Sequence, residues 1–456
     1  MFLPLLDWFG DEEIAQLFSE RSMVGAWLAV ERALAATQAE LGVIPPEALA
    51  AIEAVAVPET IDLRQLRART LVVGYPILPL LEQVGERSPT AARYVHWGAT
   101  TQDIMDTGLA LLGARALDRV DALAHALGEE IARKADGHRT TLMPGRTHAQ
   151  PAVPITFGGK LAVFLAELGR HRERLRAARG RLAVVQLFGA AGTAAALGAQ
   201  SRAVRHGVAE RLGLGAVDVP WHVARDSLAE TGLMLAATAG TCGRLAKEVI
   251  ELSRPELGEV REEGGHLRGA SSTMPQKANP IASEAVVGFS LLAAAQSGAL
   301  LAALQGGHER AAGEWQAEWD SLPLVVAATA GALAASLKLI EGLRVFPERM
   351  RRNLGDEGGL LMAEAAMMAL AGVVGRGEAH ALIVEASSLV RSEEISLREA
   401  LGRTLDTETL NALPSLTSLL DPDGYVGETD AIVTAALEGW TELTKTLAPQ
   451  VERARP

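Results

Sequence analysis

The chain has 456 residues, with 43 Lys or Arg against 56 Asp or Glu, and a formal net charge of −13. That balance offers no global basic surface for a phosphate backbone and argues against nucleic-acid binding. A single cysteine, Cys242, excludes an intramolecular disulfide, a cysteine-rich zinc site and an iron–sulfur cluster held by this chain alone.

Aromatic residues supply only 4% of the chain against a hydrophobic share of 48%. The apolar mass is therefore mostly Ala, Leu and Val, and Ala and Leu favour helix. The N-terminal stretch MFLPLLDWFGDEEIAQLF has no basic region and meets Asp7, Asp11, Glu12 and Glu13, unlike a secretory signal. A cytoplasmic location is expected. Helical periodicity is first clear over 24–41, where Trp27, Leu28, Val30 and Leu34 alternate with Glu31, Arg32 and Glu40. Pro45 and Pro46 close that unit, and Pro46 suits the start of the next helix. Long helices are predicted over 104–136, 155–179, 196–213, 227–252, 281–305 and 322–341, and the best extended pattern is 182–187. Helices of that length suggest an elongated bundle.

Segments 182–201, 285–307 and 321–337 carry no charge, and 285–307 is long enough to span a bilayer. Gly, Ser, Thr or Gln interrupt all three, and the flanking loops have no clear Lys/Arg excess. They are read as helices buried in a bundle. One chain has few helices to surround them, so a homo-oligomer sharing a helical core is expected, with no membrane partner. Three regions are predicted: an N-terminal helical domain over 1–105, a long-helix bundle over 106–345 and a smaller helical domain over 346–456.

The most informative stretch is ASSTMPQKANP, residues 270–280, between charged REEGGHLRG and the helix predicted from Ile281. Paired serines beside Lys277 and Asn279 suit a carboxylate clamp with a hydroxyl placed to act on the bound acid. The same composition also suits a loop that only caps the next helix. The stretch closely resembles the signature loop of the fumarase/aspartase superfamily, written GSSxMPxKxNP. Ala270 stands where glycine is usual, and Gly269 precedes it. HWGATTQD at 96–103 and GRTHAQP at 145–151 match two further motifs in the same order. On these three motifs the chain is identified as a member of that superfamily over nearly its whole length.

The resemblance implies an all-α fold with a long central helical bundle shared in a homotetramer. Each active site would draw its three motifs from three subunits. It also implies addition or elimination β to a carboxylate, with no metal or organic cofactor. By position Ser271 resembles the general base, while Lys277 and Asn279 hold the carboxylate. His148 resembles the histidine that protonates or orients the leaving group, and Glu284 its carboxylate partner. Thr100, Thr101 and Gln150 resemble substrate hydrogen-bonding positions, and His96, Ser272, Met274 and Arg310 complete the expected binding set. A serine is a poor base in water, so its oxyanion needs backbone N–H groups and positive charge nearby. The doubly charged aci-carboxylate likewise needs preorganised donors. His125 and His206 are read as ordinary surface or packing residues.

Adenylosuccinate lyases usually carry a His-Asp pair on the helix before the first motif, where this chain reads TLVVGYPILPL with Gly74, Tyr75 and Pro76. After His308, Glu309 and Arg310 the phosphate-binding Ser and Arg of that branch are also missing, and Trp315 and Trp319 occupy the zone. A phosphate would lose its best charge-assisted hydrogen bonds there. WQAEW, MRRNL at 350–354 and LLDPDGYVGETDAIV resemble the carboxymuconate cycloisomerase branch instead. That resemblance implies intramolecular addition of a carboxylate oxygen across a C=C bond. The alternatives are a lyase releasing fumarate from a substituted succinate and a non-enzymatic structural relative. The expected ligand is a small polycarboxylate in an indole-walled pocket, with Arg21, Arg146 and Arg310 as further cations.

Overall fold

The computed structural model describes residues 2–263, 269, 273–274 and 277–447. Helix α1 (Glu20–Glu40) starts where the Ser19 hydroxyl accepts from the Ser22 backbone N–H, which satisfies a donor the helix leaves open. Its apolar stripe of Val24, Trp27, Leu28 and Val30 packs with Ile52, Ile61, Leu66, Ile77 and Leu80 from the shorter helices and turns that follow. Ile104 and Trp315 join this cluster and so tie the N-terminal region to the bundle.

The bundle begins with α2 (Thr101–Gly137), whose 37 residues extend about 55 Å at 1.5 Å per residue. A hairpin follows, β1 (Leu142–Thr147) against β2 (Gln150–Thr156). Helices α3 (Phe157–Leu182), α4 (Asp226–Leu252), α5 (Ile281–Ala302) and α6 (Glu314–Glu341) complete it. Leu117, Ile131, Leu165, Leu235, Val286 and Leu333 share one buried core. Gly331 lets the Phe289 ring lie against α6, because a Cβ there would stand 2.7 Å from the ring. The bundle has two distinct ends. At one, Arg225 just before α4 meets Asp106 near the start of α2 and Glu318 near the start of α6. At the other, Lys134 near the end of α2 donates to the Leu343 carbonyl just past α6, at 3.1 Å.

A third apolar cluster gathers Leu361, Met362, Leu370, Ile383 and Leu401 of the C-terminal region around Leu142. The final helix, Thr429–Leu447, returns to the bundle and seats Trp440 with its indole N–H 2.6 Å from Glu129 Oε1.

Several boundaries differ from the sequence reading. The helix predicted from 104 starts at Thr101, because Thr100 and Asp103 form a capping box. The helix predicted from 196 starts at Ser201, after a turn at Gly198 with φ 73°. The helix predicted from 322 starts at Glu314 and carries Pro323 inside it. The 182–187 segment is no strand: Leu182 ends α3, and Val184 makes only an isolated bridge to Gly215. The longer strands instead run through GRTHAQP, and just beyond the motif Pro144 faces Pro154. A two-stranded ribbon has two free edges, so it tolerates prolines that a central strand would not.

Helices Ile281–Gln305, Glu314–Glu341 and Asp356–Val374 are long and apolar enough, by length and composition, to cross a membrane. Within the chain α6 is the best covered of these. Helix α5 and the turn after it leave Leu291, Leu301 and Leu304 at 64%, 47% and 39% exposure.

Candidate active site

The HWGATTQD motif builds one end of the bundle. The buried Asp103 carboxylate accepts from the backbone N–H groups of Thr100 (3.0 Å), Phe188 (3.0 Å) and Gly189 (2.9 Å), and from His222 Nε2 at 2.9 Å. These bonds fix the first turn of α2 against the 188–190 loop. Gln102 donates to the His222 carbonyl at 2.9 Å and accepts from Arg310 Nε at 2.9 Å. Arg310 also donates to the Ala190 carbonyl at 3.1 Å. Thr100, Thr101 and Arg310 are thus gathered at one surface.

His96 precedes them with a left-handed backbone, φ 63°. The buried Glu31 carboxylate of α1 accepts from its backbone N–H at 3.1 Å and from Nδ1 at 2.6 Å. Gln38, two turns along the same helix, donates to the Trp97 carbonyl at 2.8 Å. Burial works against a charged imidazole at His96, but the Glu31 charge and hydrogen bond outweigh it, with help from Asp103, and raise its pKa. Beneath this surface Arg225 Nη1 lies 2.7 Å from Asp106 Oδ2, and Nε lies 3.0 Å from Glu318 Oε1. Burial disfavours that guanidinium charge, yet Asp106 and Glu318 overcome it and raise the Arg225 pKa.

The other two motifs lie at the opposite end. His148 and Ala149 form a two-residue loop between paired Thr147 and Gln150, with φ 52° and 62°. Two successive left-handed residues make the primed hairpin turn, which usually takes Asn-Gly. The turn presents His148 and Gln150 to solvent. Next to the hairpin tip Arg146 makes two bonds to the buried Glu259, at 2.9 and 2.6 Å, and Asn353 adds a third at 2.7 Å. Three residues on, Glu262 accepts from the Ala282 and Ser283 backbone N–H groups at 3.1 and 2.9 Å, anchoring the start of α5. Before that helix, Asn279 N–H donates to the Gly269 carbonyl at 3.0 Å and Lys277 N–H to the Met274 carbonyl at 3.0 Å. Gly269 has φ 70°, and a Cβ there would stand 2.5 Å from the Asn279 carbonyl oxygen. Position 269 therefore requires glycine, one residue before the place the signature leads one to expect it. Ser271 and Ser272 lie outside the described residues.

One chain therefore holds two separate sets. His96, Thr100, Thr101 and Arg310 stand at one end; His148, Gln150, Met274, Lys277, Asn279 and Glu284 stand at the other. The span of α2, about 55 Å, lies between them. Within one chain His148 makes no hydrogen bond or ion pair with Glu284 among the described residues. Two expected cations are already engaged: Arg146 by Glu259, and Arg21 by the Pro58 carbonyl at 2.8 Å. The indole wall also differs from expectation. Trp315 is buried, donates to Asp106 at 3.0 Å and is covered by the Tyr75 ring at 5.8 Å, while Trp319 packs edge-on. The surface offered there is tyrosine as much as indole. Sequence reasoning missed Glu31, Asp106, His222, Arg225 and Glu318. Their available signal was a charge set among apolar helical positions for Glu31, Asp106 and Glu318, and a histidine and an arginine just before a predicted helix for His222 and Arg225. Among the described residues no three His, Cys, Asp or Glu side chains are grouped to hold a metal ion.

A family model described as lyase matches residues 11–293, and one described as adenylosuccinate lyase C-terminus matches residues 359–436. A Pseudomonas aeruginosa protein named 3-carboxy-cis,cis-muconate cycloisomerase is 41% identical over 425 residues, 92% of this chain and 93% of that protein. Trans-aconitate decarboxylase 1 of Mycosarcoma maydis is 35% identical over 425 residues, 93% of this chain and 86% of that protein. The crystal structure of the 3-carboxy-cis,cis-muconate lactonizing enzyme from Pseudomonas putida matches with a TM-score of 0.90 at 36% identity, covering 97% of this chain and 99% of that one.

Proposed function

Because the chain belongs to the fumarase/aspartase superfamily of lyases, we propose that it is a 3-carboxy-cis,cis-muconate cycloisomerase of aromatic catabolism, acting in the cytoplasm. The observation that carries this reading is near full-length similarity to proteins named for that reaction. In it, a carboxylate oxygen of the substrate forms a C–O bond to one alkene carbon, and a proton is added to the neighbouring carbon, giving 4-carboxymuconolactone. Nucleophile and alkene belong to one molecule, so holding the chain in a reactive fold supplies much of the rate. Neither a metal nor an organic cofactor enters this scheme.

Lys277 and Asn279 hold the carboxylate that takes up charge as the aci-carboxylate forms. Ser271 is the general base of the ring-opening direction and returns its proton to carbon in ring closure. His96, Thr100, Thr101, Gln150, Ser272, Met274 and Arg310 bind the remaining substrate atoms. His148 of one subunit pairs with Glu284 of another. A homotetramer of antiparallel bundles supports this arrangement, because it brings opposite ends of different chains together. The exposed Leu291 and Leu301 of α5, with Leu304 just after it, give such a bundle an apolar contact.

The test is ultraviolet absorbance. Purified protein should remove the conjugated-diene absorbance of 3-carboxymuconate and leave adenylosuccinate uncleaved. Ser271→Ala should lower that turnover by about 10²–10⁴-fold while the assembly stays intact by light scattering. Cleavage of adenylosuccinate with 3-carboxymuconate untouched would reverse the assignment.

A further inference from the structure

We propose that Glu31 is a positioning residue for this reaction: from the core of α1 it clamps His96 by both backbone N–H and Nδ1, leaving Nε2–H as the donor offered to a substrate carboxylate. The inference rests on the proposed binding role of His96 and extends it to a residue outside all three motifs.

Two bonds from one carboxylate determine the geometry. Glu31 Oε2 accepts from the His96 backbone N–H at 3.1 Å, and Oε1 lies 2.6 Å from Nδ1. The first bond fixes a backbone at φ 63°, which a residue with a Cβ adopts only when its surroundings demand it. The second fixes the ring rotation and accepts from Nδ1–H, so that the protonated ring presents Nε2–H outward. The Glu31 side chain is fully buried, whereas His96 keeps 19% of its side chain exposed. Nε2 makes no hydrogen bond among the described residues. A carboxylate buried this far from solvent needs a cation or several donors to offset its desolvation. Here its partner is an imidazole standing four residues before Thr100.

The charged groups around His96 agree with this. Glu31 faces it from α1 and Asp103 from α2, the latter already taking four donors. The cleft of about 740 Å³ that His96 borders also carries Arg69, Glu82 and Glu86, and Arg69 is paired with Glu82 at 2.9 Å. The raised pKa of His96 keeps the imidazolium to higher pH than a free histidine would. A fixed cation with one free N–H is the group that a polycarboxylate requires. The sign follows from the direction. Substrate binding is supported while His96 is protonated and weakens as pH rises through its folded pKa. Without the Glu31 charge, that weakening moves to lower pH.

The experiment follows the His96 Cε1 resonance in histidine-labelled protein, assigned with His96→Gln, and measures KM and kcat for 3-carboxymuconate against pH. In the wild type His96 should titrate above the free-histidine value; in Glu31→Gln it should fall, and in Glu31→Asp it should stay raised. Glu31→Gln should raise KM by about tenfold or more at pH 7.5, with kcat within about threefold, and the gap should close below about pH 6. In a His96→Gln background the Glu31→Gln penalty on KM should vanish. The proposal is overturned by a wild-type His96 that titrates at or below the free value. It is equally overturned by a titration that Glu31→Gln leaves in place, or by a loss in kcat that is uniform in pH. The wild-type titration needs no turnover, and only the His96→Gln protein used for assignment has to fold. An enzyme inert toward 3-carboxymuconate would therefore refute the assigned reaction while His96 is still scored on its own.

Discussion

Three histidines, His96, His148 and His308, hold left-handed backbones, at φ 63°, 52° and 54°. Each lies in a segment that the sequence singled out: HWGATTQD, GRTHAQP and His308-Glu309-Arg310. An L-residue pays roughly 1–2 kcal/mol for that conformation, so three such costs in these segments mark places where side-chain direction outweighs local stability. At the hairpin tip the cost is doubled, because Ala149 follows His148 at φ 62°. Ala149→Gly should therefore stabilise the chain by about 1 kcal/mol, less some of the extra unfolded-state entropy of glycine. Urea denaturation at constant slope checks this, and a loss of stability would mean that the Ala149 methyl is packed in the assembly. The motifs made the identity of these histidines legible. Their conformation was not legible, because it is imposed from elsewhere. The carboxylate that bends His96 lies 65 residues away in sequence, on α1.

At the scale of elements, the long helices were readable because apolar residues recur with helical period and few glycines or prolines intervene. The edges were harder. The sequence reading started a helix at residue 322, yet α6 begins at Glu314. The extra turns are held by contacts with no local signature: Trp315 donates to Asp106, and Glu318 binds Arg225. The hairpin was missed for a related reason, since Pro144, Gly145, Pro151 and Pro154 look like loop until two edges are seen to be free. Arg225 braces α2, α4 and α6 at one point. Burial pushes the Glu318 carboxyl up, with Arg225 offsetting part of that cost, so the guanidinium is what makes the site tolerable. Arg225→Met should cost about 3–5 kcal/mol, because it leaves two buried carboxylates without their cation. Neutralising Asp106 and Glu318 in the same chain should restore part of it. Urea unfolding of the single and triple variants decides the point; a single-variant loss below about 1 kcal/mol would mean that the ends are held by apolar packing alone.

For the whole molecule, length governs function. The motif residues stand at opposite ends of a rod about 55 Å long, which no rotamer change within one chain can close. On the proposed pairing of His148 with Glu284 of another subunit, inactive His148→Ala and inactive Ser271→Ala chains, dissociated and reassembled together, should recover part of the wild-type turnover, measured by 3-carboxymuconate absorbance. Mixed assemblies without recovery would mean that each chain supplies its own site. The all-α architecture and the superfamily were legible in the sequence. The division of the motifs between two ends was not, because it depends on antiparallel helix directions and not on any motif residue. The uncovered leucines of α5 and the turn after it also bear on how the protein is made. A newly synthesised chain carries Leu291, Leu301 and Leu304 in contact with water until something covers them, and such surface invites indiscriminate association at cellular concentrations. Assembly then competes with aggregation from the moment α5 leaves the ribosome. Yield of usable protein should depend on synthesis rate and temperature more than on the strength of any one fold contact.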